Sequence, residues 1–176
     1  MTEDLKGPQD CTHTDAIQWA SSWPELAKDD ERLRLLGYLK ERFGIPQDIF
    51  KDYLLFRRKK SWQLIKNVSH FTEASSLKIS KVGLKAFQKV GAFIKPTTRM
   101  IQIFGHWATK AVVEIDEEQL AVLMSGQRLC ADLSAGKGYV ILKLKNDRVA
   151  GLGFFINGEV ASQISIKELR KEMLVR

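Results

Sequence analysis

Carboxylates are almost missing from the middle of this chain. Between residues 51 and 110 there are 13 Lys or Arg and only two acids, Asp52 and Glu73, a net charge of +11. A solvated surface normally mixes both signs. A one-sign block therefore argues against a neutral exterior, and its field attracts polyanions and speeds their encounter. The imbalance is local, because residues 1–50 carry a net of −4 and residues 111–176 a net of zero, within +7 for the 176 residues.

Cysteine is also scarce. Cys11 and Cys130 lie far apart with no C-x-x-C partner, which argues against a disulfide framework or a thiolate metal site and suits two unpaired thiols. No window approaches the ~18 to 20 apolar residues that a membrane span requires. The stretch "MTEDLKGPQD" is acidic and polar, unlike a secretory signal. A cytoplasmic protein with no membrane partner is expected.

Catalytic patterns are missing too. His13, His70 and His106 are scattered without an H-x-x-x-H spacing or a nearby cysteine, so each suits a surface position better than a metal. The chain has no G-x-x-x-x-G-K-[ST] loop, no G-x-G-x-x-G after a strand and no G-x-S-x-G elbow. Gly151 and Gly153 give only G-x-G, inside a predicted hairpin. Glu114, Asp116, Glu117 and Glu118 cluster at a predicted helix start, where capping and the helix dipole explain them better than a metal or an acid–base pair. No enzyme and no cofactor are expected.

What is present is clear local patterning. The first twenty residues lack periodicity and read as a loose segment. "WASSWPELAKDDERLRLLGYLKERFGI" predicts a helix, with Asp29 or Asp30 as cap, Leu35, Leu36, Leu39 and Phe43 at helical spacing, and Gly44 with Pro46 as the stop. A short second helix is expected around "IPQDIFKDY", with Trp19 and Trp23 packed on the pair. In "YLLFRRKKSWQLI" two apolar runs flank four cations, the pattern of a β-hairpin with a basic tip. "SSLKISKVGLKAF" alternates and then shifts phase near Gly83, predicting a strand with a bulge or bend there. "KPTTRMIQIFG" predicts a short helix entered at Pro96 and stopped at Gly105.

The remainder alternates more regularly. "KAVVEI" and "QRLCADL" read as strands around a helix, "DEEQLAVLMSG", capped by Asp116 and followed by Gly126. "GYVILKLK" and "RVAGLGFFI" predict a hairpin through "ND", with one more strand at "EVASQIS" and a short helix in the tail.

The basic block supplies the candidate site. Arg57, Arg58, Lys59 and Lys60 share a predicted turn, and Lys78, Lys81, Lys85, Lys89, Lys95 and Arg99 follow at spacings of three to six. Phosphate recognition needs mobile Lys charges and forked Arg donors along one groove. RNA adds a need for flat groups on which unstacked bases can rest. Phe56, Trp62, Phe87, Phe93 and Trp107 are interleaved with the cations, although core packing is the commoner use of such residues.

A family resemblance rests on "VGLKAF…KPTTRMIQIFG…EIDEEQLAVLMSGQRL…GKGYVILKLKNDRVAGLGFFINGEVASQISIKELR". This order resembles a PUA-like domain, an RNA-binding module. It is most similar to the PUA-like C-terminal module of Sun-type RNA cytosine-5 methyltransferases, with their "KPSHALAL", "LxGE", "GWGK" and "KNxYPKxLR" stretches. The resemblance covers roughly residues 75–170. The overall plan is also similar to small ribosome-biogenesis factors of pre-PUA plus PUA architecture. It implies RNA contacts at Gly126, Gln127 and Arg128, and at Gly153 with Phe154 on a neighbouring strand. The family's "GWGK" lysine is replaced by Phe154, and its "KNxYPK" by "ASQISIK", leaving Lys167 and Arg170 as remnants. The methyltransferase catalytic domain has no counterpart here.

The expectation is an α+β chain: a loose segment at 1–20, a helical and β-hairpin module at 21–94, and a PUA-like β pseudo-barrel at 95–176. The resemblance implies non-catalytic binding of structured rRNA or tRNA, in ribosome biogenesis or RNA modification. The alternative is an accessory subunit that docks on an RNA-modifying enzyme or a ribosomal particle.

Overall fold

The computed structural model describes residues 24–68 and 83–165. Within them the chain is α+β and builds two five-stranded sheets. The first is an antiparallel meander of β1 (Glu25–Leu26), β2 (Tyr53–Arg58), β3 (Ser61–Lys66), β4 (Leu84–Val90) and β5 (Phe93–Pro96), paired in chain order. The second contains β6 (Val112–Ile115), β7 (Arg128–Cys130), β8 (Gly138–Leu144), β9 (Val149–Ile156) and β10 (Glu159–Ser162), in the spatial order β6-β8-β9-β10-β7. Only the β6–β8 pair is parallel; the others in that sheet are antiparallel.

Helix α1 (Asp29–Phe43) forms where the apolar spacing puts it, and Leu35, Leu36, Leu39 and Phe43 are its buried stripe. Its start differs from expectation. Lys28 occupies the cap position with no side-chain cap bond, and Asp29, Asp30 and Glu31 fill the first turn, where carboxylates favour the positive end of the helix dipole. Gly44 ends it in the left-handed conformation. The second helix expected here is a single 3₁₀ turn, Gln47–Phe50.

Helix α2 (Thr98–Phe104) is capped by Thr97, whose side chain accepts the Met100 amide, while the expected entry residue, Pro96, ends β5. The helix packs on both β4 and β9, so it lies at the seam between the sheets. Its Met100 and Ile101 are fully buried, and the Phe104 ring meets Phe50 and Tyr53 edge-on at 5.0 and 5.7 Å. Helix α3 (Glu117–Met124) has a complete capping box, with the Asp116 side chain on the Gln119 amide and the Gln119 side chain returned to the Asp116 amide.

One apolar cluster joins the two sheets, with Leu55, Trp62, Leu64 and Phe87 from the first and Val140, Ile141, Leu142 and Leu152 from the second. The division expected at residues 94/95 falls inside β5, which pairs with β4 through Val90↔Phe93 and Gln88↔Lys95. No helix among the described residues is long and apolar enough to cross a membrane. Trp19, Trp23, the strand expected before Gly83 and the tail helix lie outside the described residues.

Candidate nucleic-acid interface

Strand alternation decides where the cations of the first sheet go. Register partners share a face, so Arg58, Ser61, Gln88 and Lys95 form one lateral row across β2, β3, β4 and β5. Three inter-strand spacings make that row about 14 Å long. The neighbouring row, Arg57, Trp62, Phe87 and Pro96, lies on the opposite face. Trp62 and Phe87 are buried there, and the Arg57 guanidinium is 4.0 Å from Glu31.

A bulge then reverses the parity of β4. Trp62 pairs with Phe87, but Gln63 pairs with Lys85, so Ala86 is the extra residue. Lys85 is thereby brought onto the face of Gln88, to whose Oε1 its Nζ donates at 2.8 Å. Lys89, which simple alternation would put beside Lys85, instead shares the other face with its partner Ile94. Gly83 makes the expected bend, with φ 66°, just before the strand, and the bulge is a separate irregularity at Ala86.

Thr97 locks this edge to α2. Its amide donates to the Ala86 carbonyl at 2.8 Å, and its hydroxyl donates to the Lys85 carbonyl while accepting from Met100 at 3.1 Å. The result is a cleft of about 530 Å³ lined by Lys85, Gln88 and Lys95 from the sheet, Thr97, Thr98 and Arg99 from the start of α2, and Gln163 and Ser165 from the chain after β10. Among the described residues three cations line it and no carboxylate does. The Lys95 ammonium stands 5.8 Å from the centre of the Tyr139 ring, a cation–π distance. Burial raises the Tyr139 hydroxyl above the ordinary phenol range, so it remains a neutral donor.

The ten candidate cations of the block therefore separate. Lys85, Lys95 and Arg99 meet at the cleft. Arg58 extends their row, and Lys59 and Lys60 form the hairpin tip. Arg57 and Lys89 face the other way. Lys78 and Lys81 lie outside the described residues.

The residues implied by the resemblance lie on the second sheet. Gly126 follows α3 with φ +91° and open space where a Cβ would stand, and Gln127 beside it is exposed. Arg128 is exposed, but its guanidinium binds the Glu159 carboxylate at 3.0 Å, so its charge is locally opposed. Gly153 is buried, and a Cβ there would press on Val140, Leu142 and Val160. Interior packing accounts for that glycine. Phe154 is half-buried, edge-on to Tyr139 at 5.3 Å. Lys167 and Arg170 are outside the described residues.

Of the five aromatics, Phe56, Trp62 and Phe87 are core, while Phe93 and Trp107 are exposed. Sequence reasoning missed Gln88, Gln163 and Ser165, neutral residues that no charge pattern marks and that only the folded seam assembles. Among the described residues no group of three or more His, Cys, Asp or Glu could hold a metal ion.

No family model matches the chain, and no curated protein matches it. Eight solved chains do. One is described as a conserved PUA domain protein from Thermoplasma acidophilum, with 14% identity and a TM-score of 0.49, the match covering 75% of this chain and 79% of that one. At that distance the likeness establishes neither family nor function.

Proposed function

We propose that this protein is a non-catalytic RNA-binding module of pre-PUA plus PUA plan, acting in the cytoplasm on structured rRNA or tRNA in ribosome biogenesis or RNA modification. The observation that carries the reading is the cleft whose lining, among the described residues, holds Lys85, Lys95 and Arg99 and no carboxylate. Cations collected on one concave surface suit a phosphate backbone, because each neutralised phosphate releases counterions. The Arg99 fork and the flexible Lys85 and Lys95 heads supply the two kinds of phosphate donor. Gln88, Thr98 and Gln163 add neutral groups suited to ribose hydroxyls and base edges. The family-like order of motifs in the sequence supplies RNA as the class of polyanion. In this reading the two sheets are the two modules, with α2 as their seam.

The reading favours the cleft over the face around Gly126 and Arg128, because Glu159 already opposes Arg128. The test is binding of a tRNA transcript and of an rRNA hairpin across several salt concentrations. Lys85→Glu with Lys95→Glu should weaken binding strongly and flatten the log–log salt slope by about one to two units, at ~0.7 to 0.9 per lost phosphate contact. Arg128→Glu should do much less. A larger loss from Arg128→Glu would move the RNA to the second sheet. No salt-dependent binding of either RNA by the unaltered protein would remove the reading in favour of an accessory subunit that contacts protein.

A further inference from the structure

The most exposed large apolar side chain of the described residues is Phe93, at 76%, and its register partner Val90 is 51% exposed. A ring so open is unusual for a folded chain, in which phenylalanine is among the residues most often buried. The pair closes the β4–β5 hairpin across Gly91 and Ala92, with Gly91 at φ 60°. Phe93 is two residues before Lys95 on the same strand face, roughly 7 Å away, and it is the next step outward along the row that leads into the cleft. The Lys89 amide donates to the Lys60 carbonyl at 2.8 Å, so the β2–β3 turn, with Lys59 and Lys60, lies at the same end of the sheet as the β4–β5 turn. From Tyr53 to Val113 the described residues contain no Asp or Glu. The exposed ring thus shares the strand face of Lys95, at the end of the sheet that carries the Lys59–Lys60 turn.

We infer that Phe93 is a base-stacking residue, and that the ligand class is RNA with an unpaired nucleotide beside the segment held in the cleft. This rests on the proposed function. An uninterrupted duplex offers cations its phosphates but offers an exposed ring nothing to stack on. An unpaired base offers both a π-face and the phosphate next to it, and it matches an aromatic bordered by lysines. The charge beside the ring decides against a protein occupant, because an apolar protein surface seated on Phe93 would also have to cover the Lys95 ammonium. The type of base is left open by this geometry, since every base has a π-face.

The test uses the full chain and two fluorescein-labelled RNAs, a two-strand duplex with a single-stranded adenosine overhang and a blunt duplex of equal length. The unaltered protein should prefer the overhang. Phe93→Ala should lose about tenfold or more of its affinity for the overhang RNA, the size of one lost stack, with its salt slope and blunt-duplex affinity unchanged. Phe93→Trp should keep the affinity, and its indole emission should be quenched by the overhang RNA. Trp107→Ala, at the other exposed aromatic, serves as the control and should change neither affinity. Equal affinity of Phe93→Ala and the unaltered protein for the overhang, with Lys85→Glu/Lys95→Glu still weakened, would overturn the stacking role, leave the cleft in place and assign the hairpin tip to a protein contact. An equal loss on both RNAs would also overturn it. If the unaltered protein bound neither RNA, the proposed function itself would fall.

Discussion

Thr97 shows how much of the candidate site can depend on one hydroxyl. The residue is buried, and its Oγ1 both donates to the Lys85 carbonyl and accepts from the Met100 amide. One cleft cation, Lys85, is thereby tied through its backbone to the turn that presents another, Arg99. Thr97→Val keeps the shape and the Thr97 amide bond to Ala86 but removes the hydroxyl's bonds to the part-buried Lys85 carbonyl and to the buried Met100 amide. The expected cost is about 1–3 kcal/mol. Thr97→Ser keeps both bonds and should cost about 1 kcal/mol or less, the worth of one methyl. Urea unfolding of both variants checks this, and equal losses would mean that packing, not the hydroxyl, is what matters at this position. RNA affinity measured on the folded fraction should fall for the valine variant alone.

At the scale of elements, the start of α3 behaves as a charge-assisted cap with a definite pH signature. The Gln119 amide, and after it Lys145, hold the Asp116 carboxyl below its ordinary value. A carboxyl whose folded pKa is depressed contributes stability that is complete above its unfolded pKa of about 4. That contribution is lost as the pH falls through the lower folded value. Asp116→Asn retains a capping oxygen without the charge. Its melting temperature should lie below that of the unaltered protein at pH 7, and the gap should close toward pH 2. A gap that stayed constant across that range would show that the cap's charge is irrelevant. This helix was legible in the sequence because its signals are local: a capping Asp, acids in the first turn and a glycine after the end. Helix α1 and the Tyr53–Lys66 hairpin were legible for the same reason, since apolar spacing and a four-cation turn need only neighbours to interpret them. The faces of β4 were not. Two-residue alternation puts Lys85 with Lys89, and a single extra residue at Ala86, stabilised by its carbonyl's bond to Thr97, separates them. Such a bulge is set by pairing with a strand more than twenty residues away, which no local pattern encodes.

At the scale of the whole molecule, the apolar cluster argues against two independently folding halves, although motif order suggests a division near residue 95. The seam is dense. Helix α2 buries Met100 and Ile101 between the sheets, the Arg42 side chain of α1 donates to the Tyr139 carbonyl of β8 at 2.7 Å, and the Thr109 and Lys110 amides both return to the Phe43 carbonyl at the end of α1. Loss of either sheet would expose the apolar face of the other, together with these hydrogen-bonding groups, so neither sheet should persist alone. Thermal unfolding should therefore follow one transition, with near-ultraviolet and far-ultraviolet signals coincident. Met100→Ala should remove about 2–5 kcal/mol, the range for deleting a large buried side chain. The informative readout is where that loss is felt. Native-state hydrogen exchange should show amides of β4 and of β9 losing protection by the same amount, because both are secured by the same helix. If β9 kept its protection while β4 lost it, the second sheet would be a unit that holds without the first. The cleft between Lys85 and Gln163 would then lie on a hinge instead of within one rigid body, and RNA bound there would stabilise the protein against separation of the sheets as well as against unfolding.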